Sequence, residues 1–228
     1  MNELIRFSEE LKKSHKPSGI IIAVSGPTAC GKTTGAKTLS EAFGLKYYSV
    51  GNIFRSEADK MKIPIEDFVK IRSDEFDFEA DKEVLKLMIE GNVVVEGRIV
   101  GILATFLKDI ENREEVAIVR ILYNPPLEIR ANRYSQREGK PYEFSLSFIA
   151  DRDVIDREKY ARMYEIKDIT DEKYYDIIID NSNWSLEDAK VEPLKRVISY
   201  LKKVNRLHLL KVEPLLEYFK KIGIFTFE

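Results

Sequence analysis

The sequence is poor in the residues that cross-link proteins and in those that most often bind transition metals. It contains one cysteine, Cys30, and two histidines, His15 and His208, among its 228 residues. A single cysteine excludes an internal disulfide and a zinc site built from several cysteines. Neither histidine has a partner at metal-ligand spacing, so neither is assigned a role.

An excess of charge of one sign is also missing. The chain has 37 basic and 39 acidic residues, which gives a formal net charge of -2. This balance does not favour a nucleic acid or a membrane surface as the partner, and small substrates are the simpler expectation. Because the sequence shows no apolar run of transmembrane length and no N-terminal signal segment, we expect a cytoplasmic protein, either a monomer or a homodimer.

Apolar runs alternate with charged segments of helical length along most of the chain. The runs that predict β-strands are Ile20–Ser25, Lys46–Val50, Val93–Glu96, Val116–Tyr123 and Tyr175–Asp180. Strands that are apolar without alternation are typical of a parallel sheet covered by helices on both faces. We therefore expect an α/β fold with a five-stranded parallel sheet, and ligands at the carboxyl ends of its strands.

The most informative motif follows the first of these strands. It fits the pattern G-x-x-x-x-G-K-[ST] and consists of Gly26, Pro27, Thr28, Ala29, Cys30, Gly31, Lys32, Thr33 and Thr34. A helix is predicted from Thr33 to Phe43. In such a loop the backbone N–H groups and the positive end of the helix point at phosphates, so the motif predicts binding of a nucleotide triphosphate.

Side chains of this loop suggest further roles. Lys32 would reach the β and γ phosphates, and the Thr33 hydroxyl would be a ligand of Mg²⁺. Ala29 is tolerable only if the backbone at that position does not need a positive φ. Two interpretations of Cys30 stay open. It is either a reactive thiol whose alkylation inhibits the protein unless ATP is bound, or an inert buried thiol.

Charged residues also follow two other strands. After the second strand, Gly51 and Asn52 precede Arg55, which either holds a second phosphate or lies on the surface of an ordinary helix. The third strand ends in Glu96, Gly97 and Arg98. A charged pair at a carboxyl edge favours a binding site, although a structural ion pair would explain it too.

Two later helices carry arginines at helical spacing. Arg130, Arg133 and Arg137 share one face of the first, and the second carries Arg152, Asp156 and Arg157. A solvated face is the default interpretation of such charges. Two arginine-bearing helices joined by a loop also suggest a movable cover for phosphates, which we place at about residues 133–165.

The order of these motifs, together with the late run I-I-I-D-N-S-N-W-S, resembles cytidylate kinases, most closely the short archaeal type. The similarity runs from about Gly19 to Ala189. It implies a P-loop kinase fold of three α/β/α layers, with a helical acceptor-binding region and a lid. It also implies direct in-line transfer of a phosphoryl group from ATP to CMP or dCMP with Mg²⁺. A P-loop kinase for AMP, UMP or a small metabolite is the alternative, as is a regulatory ATPase.

The resemblance also implies roles for individual residues. Arg55 and Arg98 match arginines that contact the phosphate of the acceptor, and Asp156 matches an acid associated with the acceptor nucleoside. The lid arginines would close over the transferring phosphoryl group; they are Arg133, Arg137, Arg152 and Arg157. Glu96 is a hypothetical organiser of Mg²⁺-bound water or of the acceptor site. Asn52 stands where the family usually has aspartate, which leaves the identity of the acceptor open.

The chain is long enough for one domain with appendages. We expect an N-terminal helical extension over residues 1–18, a kinase domain over 19–190 and a C-terminal helical extension over 191–228. The C-terminal extension would cover the core, mediate a dimer or bind a partner, and packing on the core is the favoured alternative. Tyr47, Tyr48 and Trp184 are interpreted as core or edge aromatics, with stacking on a base as the minority alternative.

Overall fold

A central parallel β-sheet organises the molecule, and the computed structural model describes residues 2–224. Its strands are β1 (Gly19–Ser25), β2 (Lys46–Ser49), β3 (Val93–Gly97), β4 (Val116–Tyr123) and β5 (Ile177–Ile179). They lie in the order β2-β3-β1-β4-β5, and every pair of neighbours is parallel. The five-stranded parallel sheet expected from the sequence is therefore confirmed.

Helices cover both faces of this sheet. They are α1 (Asn2–Ser14), α2 (Lys32–Phe43), α3 (Val50–Met61), α4 (Ile65–Ile71), α5 (Asp74–Glu90), α6 (Val100–Ala104), α7 (Leu127–Glu138), α8 (Tyr142–Tyr164), α9 (Leu186–Lys203) and α10 (Val212–Lys221). Within the described part of the chain, none of them combines the length and the apolar character needed to cross a membrane.

The apolar strands supply two separate cores, one on each face of the sheet. Along β1, Ile21 and Ala23 face the first core, which includes residues of α1, α3, α5 and α8. Ile20, Ile22 and Val24 face the second core, which includes residues of α2, α9 and α10. Successive side chains of a strand point to opposite faces, so a strand with helices on both faces must be apolar throughout.

In their described parts, both terminal extensions pack on the sheet and its flanking helices. Leu4 of α1 is fully buried against the first core. Tyr218 and Phe219 of α10 are buried in the second core, and Pro214 lies against Gly44 at the end of α2. Met1 and residues 225–228, which the sequence analysis assigned to these extensions, lie outside the described residues.

The two arginine-bearing helices are α7 and α8. A short connection over residues 139–141 joins them, and Arg130 of α7 pairs with Asp153 of α8 at 2.8 Å. The C-terminal end of α8 enters the first core, because Tyr160 and Tyr164 are buried there. The C-terminal part of α8 is therefore a fixed part of the core.

Candidate active site

The loop from Gly26 to Gly31, called the phosphate loop below, connects β1 to α2. It contains two glycines whose backbone conformations require glycine. Gly26 has a φ of 151° and Gly31 a φ of 91°. A Cβ atom at Gly26 would lie 2.4 Å from the carbonyl oxygen of Tyr123. Gly31 is the N-cap of α2, and no side chain caps this end of the helix. The first N–H groups of α2 are therefore available to an anion.

Ala29 lies between these glycines and departs from the expectation. Its φ is 58°, in the left-handed region, where the Cβ atom of an L-residue crowds the backbone. The sequence analysis accepted alanine here only if no positive φ was needed, and that condition is not met. The loop carries backbone strain at this position.

Cys30 belongs to the core through its side chain and to the loop through its backbone. The side chain is fully buried in the second core. Its carbonyl oxygen accepts hydrogen bonds from Asn181 Nδ2 at 3.1 Å and from Arg133 Nη1 at 3.4 Å. Burial removes the thiol from contact with reagents in solution and favours the inert alternative.

Lys32 and Thr33 begin α2 and face different groups. Lys32 Nζ donates a hydrogen bond to the carbonyl oxygen of Pro27 at 3.1 Å. Thr33 Oγ1 donates to the carboxylate of Glu96, at 3.0 Å from Oε1 and 2.9 Å from Oε2. Glu96 is only 2% exposed at the end of β3. The loop threonine thus lies beside an acidic group that the sheet holds in place, while the loop lysine bonds to the backbone of its own loop.

The donor set around Thr33 fits a hard divalent cation. Because the hydroxyl hydrogen of Thr33 points to Glu96, the lone pairs of its oxygen stay free, and Mg²⁺ prefers oxygen ligands. Between residues 2 and 224, no cluster of three or more His, Cys, Asp or Glu side chains could hold a metal. A cation bound here would take its remaining ligands from water and from substrate phosphates.

A cavity of about 620 Å³ opens beside the phosphate loop, between α3, α5 and the two arginine-bearing helices. Most of the residues expected at the site line it: Thr28, Ala29, Cys30, Gly31, Lys32, Thr33, Thr34, Gly51, Arg55, Glu96, Gly97, Arg98, Arg133, Arg137 and Arg152. The fold therefore brings together motifs that are more than one hundred residues apart in the sequence.

Some of the expected residues do not line the cavity. Gly26 and Pro27 belong to the phosphate loop, whereas Asn52 and Asp156 contact arginines that line the cavity. Asn52 is exposed, and its Oδ1 accepts a hydrogen bond from Arg55 Nη2 at 2.7 Å. Asp156 is 1% exposed and contacts arginines that do line the cavity.

Arg157 is exposed on α8 and does not line the cavity. Successive side chains on a helix are rotated by about 100° around its axis. Because Asp156 is buried, the next residue, Arg157, faces solvent. The structure does not support the expected role of Arg157 over the phosphoryl group.

Asp156 is the centre of a buried charged cluster. It forms ion pairs with Arg98, with Arg72 at 3.1 Å and with Arg152 at 3.2 Å. Burial alone would raise the pKa of the Asp156 carboxyl, but the three guanidinium groups outweigh burial and lower it. Burial, with the nearby charges of Arg98 and Arg72, lowers the pKa of Arg152 to about 10.

The cluster holds more positive than negative charge. Arg72 has a second carboxylate, Asp77 at 2.9 Å, whereas Arg98 and Arg152 share Asp156. Arg98 Nη2 also donates to Thr28 Oγ1 at 2.5 Å, and its buried Nη1 has no hydrogen-bond partner within residues 2–224. Buried cations without matching anions are costly, so this end of the cavity favours an anionic ligand.

The arginines of α7 differ in their surroundings. Arg133 donates to Asn181 Oδ1 at 2.9 Å and to the Asn181 carbonyl oxygen at 2.7 Å. These bonds join α7 to the phosphate loop and to the segment after β5. Arg137 is more than half exposed and contacts Glu138 at 2.7 Å. Arg133 is thus held in place by partners outside its helix, while the exposed Arg137 contacts Glu138 and the ring of Tyr134 on its own helix.

Several residues of the site were not identified from the sequence. They are Arg72, Asp77, Asp81, Tyr160 and Asn181. Asp77 and Asp81 are buried on α5 and line the cavity, and Asp81 accepts a hydrogen bond from Tyr164 Oη at 2.6 Å. Burial raises the pKa of Asp81 to about 7. The sequence did offer a signal for Asp77 and Asp81: they are one helical turn apart, on the apolar face that also carries Ala80 and Val84.

Comparisons with known proteins agree with this geometry. Residues 21–183 match the model of the cytidylate kinase-like family. A cytidylate kinase from Methanopyrus kandleri is 34% identical over 184 residues, which cover 80% of this chain and 94% of that protein. One from Pyrococcus horikoshii is 36% identical over 170 residues, covering 74% of this chain and 83% of that protein.

Two solved structures share the fold at low sequence identity. An uncharacterized protein from Eubacterium ventriosum has a TM-score of 0.56 at 20% identity, covering 79% of this chain and 99% of that one. A shikimate kinase from Bacteroides thetaiotaomicron has a TM-score of 0.50 at 14% identity, covering 80% and 98%. The expected P-loop kinase fold is confirmed. Since the family model and the relatives cover most of its length, the chain belongs to the cytidylate kinase-like family and is a phosphotransferase.

Proposed function

We propose that the protein transfers a phosphoryl group from ATP to CMP or dCMP, with Mg²⁺, by direct in-line attack. The observation that carries this proposal is the composition of the cavity. The phosphate loop lines one part of it, and Arg98 and the buried Arg152, which share the carboxylate of Asp156, line another. A cavity with two anion sites suits a kinase with a phosphorylated acceptor better than a simple ATPase.

The phosphate loop and its neighbours would bind ATP. Its N–H groups and Lys32 hold the phosphates, Thr33 binds Mg²⁺, and Glu96 holds the hydroxyl of Thr33 in orientation. Mg²⁺ bound with ATP supplies neutralisation of the charge on the phosphate oxygens. Arg133 keeps the loop joined to the segment after β5 through Asn181.

The arginines on the other side would bind the acceptor and stabilise the transferring group. Arg55 and Arg98 orient the acceptor phosphate, with Gly51 and Gly97 allowing close approach of the backbone and Asn52 and Asp156 fixing the two arginines. Arg137 and Arg152 line the cavity and contribute positive charge near the equatorial oxygens. The acceptor needs no general base, because its phosphate oxygen is already ionised at neutral pH.

The rate would come from positioning and electrostatics, as in other phosphoryl transfers. Water must be excluded, since an open site would hydrolyse ATP. The N-terminal part of α8 and the exposed Arg137 on α7 are the parts of the cover that can approach the phosphates.

The proposal is tested by ADP production from ATP and Mg²⁺ with each nucleoside monophosphate in turn. Stimulation by CMP or dCMP alone supports it. Stimulation by AMP or UMP keeps the chemistry and changes the acceptor, an alternative favoured by the neutral Asn52 beside Arg55. ADP formation that no acceptor stimulates contradicts the proposal. A Lys32→Ala variant serves as the control for contaminating kinases.

A further inference from the structure

Tyr47 lies on β2 beside the end of β3, and the proposed roles leave it without a function. Ser49 pairs in register with Glu96 of β3, and Tyr47 lies two residues earlier on the same face of β2. Tyr47 does not line the cavity, and Lys37 Nζ lies 5.9 Å from the centroid of its ring. These surroundings argue against stacking of this ring on a substrate base.

The hydroxyl of Tyr47 instead contacts the carboxylate of Glu96. Glu96 Oε1 accepts from Tyr47 Oη at 2.8 Å, from Ser49 Oγ at 2.7 Å and from Thr33 Oγ1 at 3.0 Å. Among the described residues, Glu96 Oε2 accepts only from Thr33 Oγ1, at 2.9 Å. The two oxygens therefore have unequal surroundings, with the hydroxyl groups of β2 donating only to Oε1.

All of these donors are neutral. Over residues 2–224, no lysine, arginine or histidine forms an ion pair with Glu96, although Glu96 is 2% exposed. Burial and the nearby Glu96 charge raise the pKa of the Tyr47 hydroxyl, so it stays a donor at every physiological pH. Hydroxyl donors fix a carboxylate without cancelling its charge, which leaves that charge for a cation beside Thr33.

We propose that Tyr47 is a positioning residue for the magnesium site: its hydrogen bond fixes the orientation of the Glu96 carboxylate, which in turn orients the lone pairs of Thr33 Oγ1 toward Mg²⁺. Tyr47 thereby sets how strongly Mg²⁺ improves the binding of ATP. This inference rests on the proposed function, since it requires ATP with Mg²⁺ as the ligand.

The decisive variant is Tyr47→Phe, which removes one hydroxyl and keeps the ring. ATP binding is measured by calorimetry in EDTA and across a Mg²⁺ titration. We expect the ATP affinity in EDTA to be unchanged and the half-saturating Mg²⁺ concentration to rise about tenfold. Substitution of residues that orient metal ligands typically weakens metal binding about 10–100-fold, and we expect the lower end of that range. Tyr48→Phe is the matched control, because Tyr48 is the next residue and packs on the opposite core. It should leave the Mg²⁺ titration unchanged.

A double-mutant cycle shows whether Tyr47 acts through Glu96. In a Glu96→Ala background, which removes the acceptor of the Tyr47 hydrogen bond, Tyr47→Phe should have no further effect on the Mg²⁺ titration, whereas a general effect on folding would persist. Thermal unfolding of each variant measures that folding effect separately. The inference is overturned if Tyr47→Phe behaves like Tyr48→Phe, or if its effect persists without Glu96. Wild-type protein whose ATP binding ignores Mg²⁺ would overturn the proposed function as well.

Discussion

At the scale of single residues, the phosphate loop contains one alanine in a conformation that favours glycine. Ala29 has a φ of 58°, with glycines of positive φ three residues before it and two residues after it. Left-handed backbone costs an L-residue about 1–2 kcal/mol, and the surrounding loop must hold it there. Strain of this kind is common where a backbone is shaped for a ligand.

Replacing Ala29 by glycine should therefore stabilise the fold slightly. Relief of the strain is offset by about 0.4–1 kcal/mol of added conformational entropy in the unfolded chain, so the net gain is about 0–1.6 kcal/mol. Urea unfolding measures it. Ala36→Gly is the control, since Ala36 is buried inside α2, where the same change should destabilise by about 1 kcal/mol. Equal losses in both variants would contradict the strain at Ala29.

Asp81 is a second residue whose environment has a measurable consequence. Burial raises the pKa of its carboxyl to about 7, above the value of about 3.9 for an unfolded chain. The folded state thus binds a proton that the unfolded state releases between these two pH values. The contribution of Asp81 to stability is therefore greatest below pH 4 and falls as the pH rises toward about 7.

An Asp81→Asn variant should remove this pH dependence. Asparagine keeps an oxygen that can accept the hydrogen bond from Tyr164, but it does not ionise. Relative to wild type, the variant should gain stability at pH 8 compared with pH 5. Urea unfolding at the two pH values measures the difference. An equal effect of Asp81→Asn at both pH values would show that the carboxyl has an ordinary pKa.

At the scale of secondary-structure elements, α8 presents two of its arginines, Arg152 and Arg157, to different surroundings. Arg152 is 8% exposed and lines the cavity, whereas Arg157 is exposed and does not. Both matched lid arginines in the family pattern, so their sequence positions alone did not distinguish them. The packing of Tyr160 and Tyr164 in the core fixes the rotation of α8, and this rotation decides which arginine faces the cavity.

Alanine substitutions should separate these two arginines. Arg152→Ala removes a buried positive charge from the cavity and should lower kcat/KM for the acceptor at least about tenfold, as expected when hydrogen bonds to a charged group are lost. Arg157→Ala should stay within about twofold, since surface charges contribute little. Steady-state kinetics with ATP saturating measures both. Comparable losses would mean that α8 rotates during turnover and brings Arg157 to the phosphates.

The sequence predicted those features that have a local signature. The β1 strand and the loop from Gly26 to Thr34 follow from a continuous apolar run and a fixed motif. The partners of Glu96 come from β2 and α2, and Arg72 meets Asp156 across more than eighty residues of sequence. Such contacts depend on how the helices pack on the sheet, and no local periodicity encodes that packing. The positive φ of Ala29 was hidden for the same reason.

At the scale of the whole molecule, the C-terminal helix completes the second core beneath the phosphate loop. α10 packs on α2, whose first residues are Lys32 and Thr33. Its buried residues Tyr218 and Phe219 lie outside the segment that matches the family model. The extension therefore contributes to the stability of the helix that carries the phosphate loop.

This contribution can be measured by truncating one buried side chain of α10. Phe219 is 7% exposed, and a buried phenylalanine replaced by alanine costs about 3–5 kcal/mol, with the lower end expected near the edge of a core. Leu216 lies on the same helix and is 42% exposed, so Leu216→Ala should cost much less. Urea unfolding of both variants, at several protein concentrations, separates packing within one chain from association. Leu216→Ala could instead cost as much as Phe219→Ala, with a loss that depends on protein concentration. That result would assign the exposed face of α10 to a contact between chains, because only association makes stability depend on concentration.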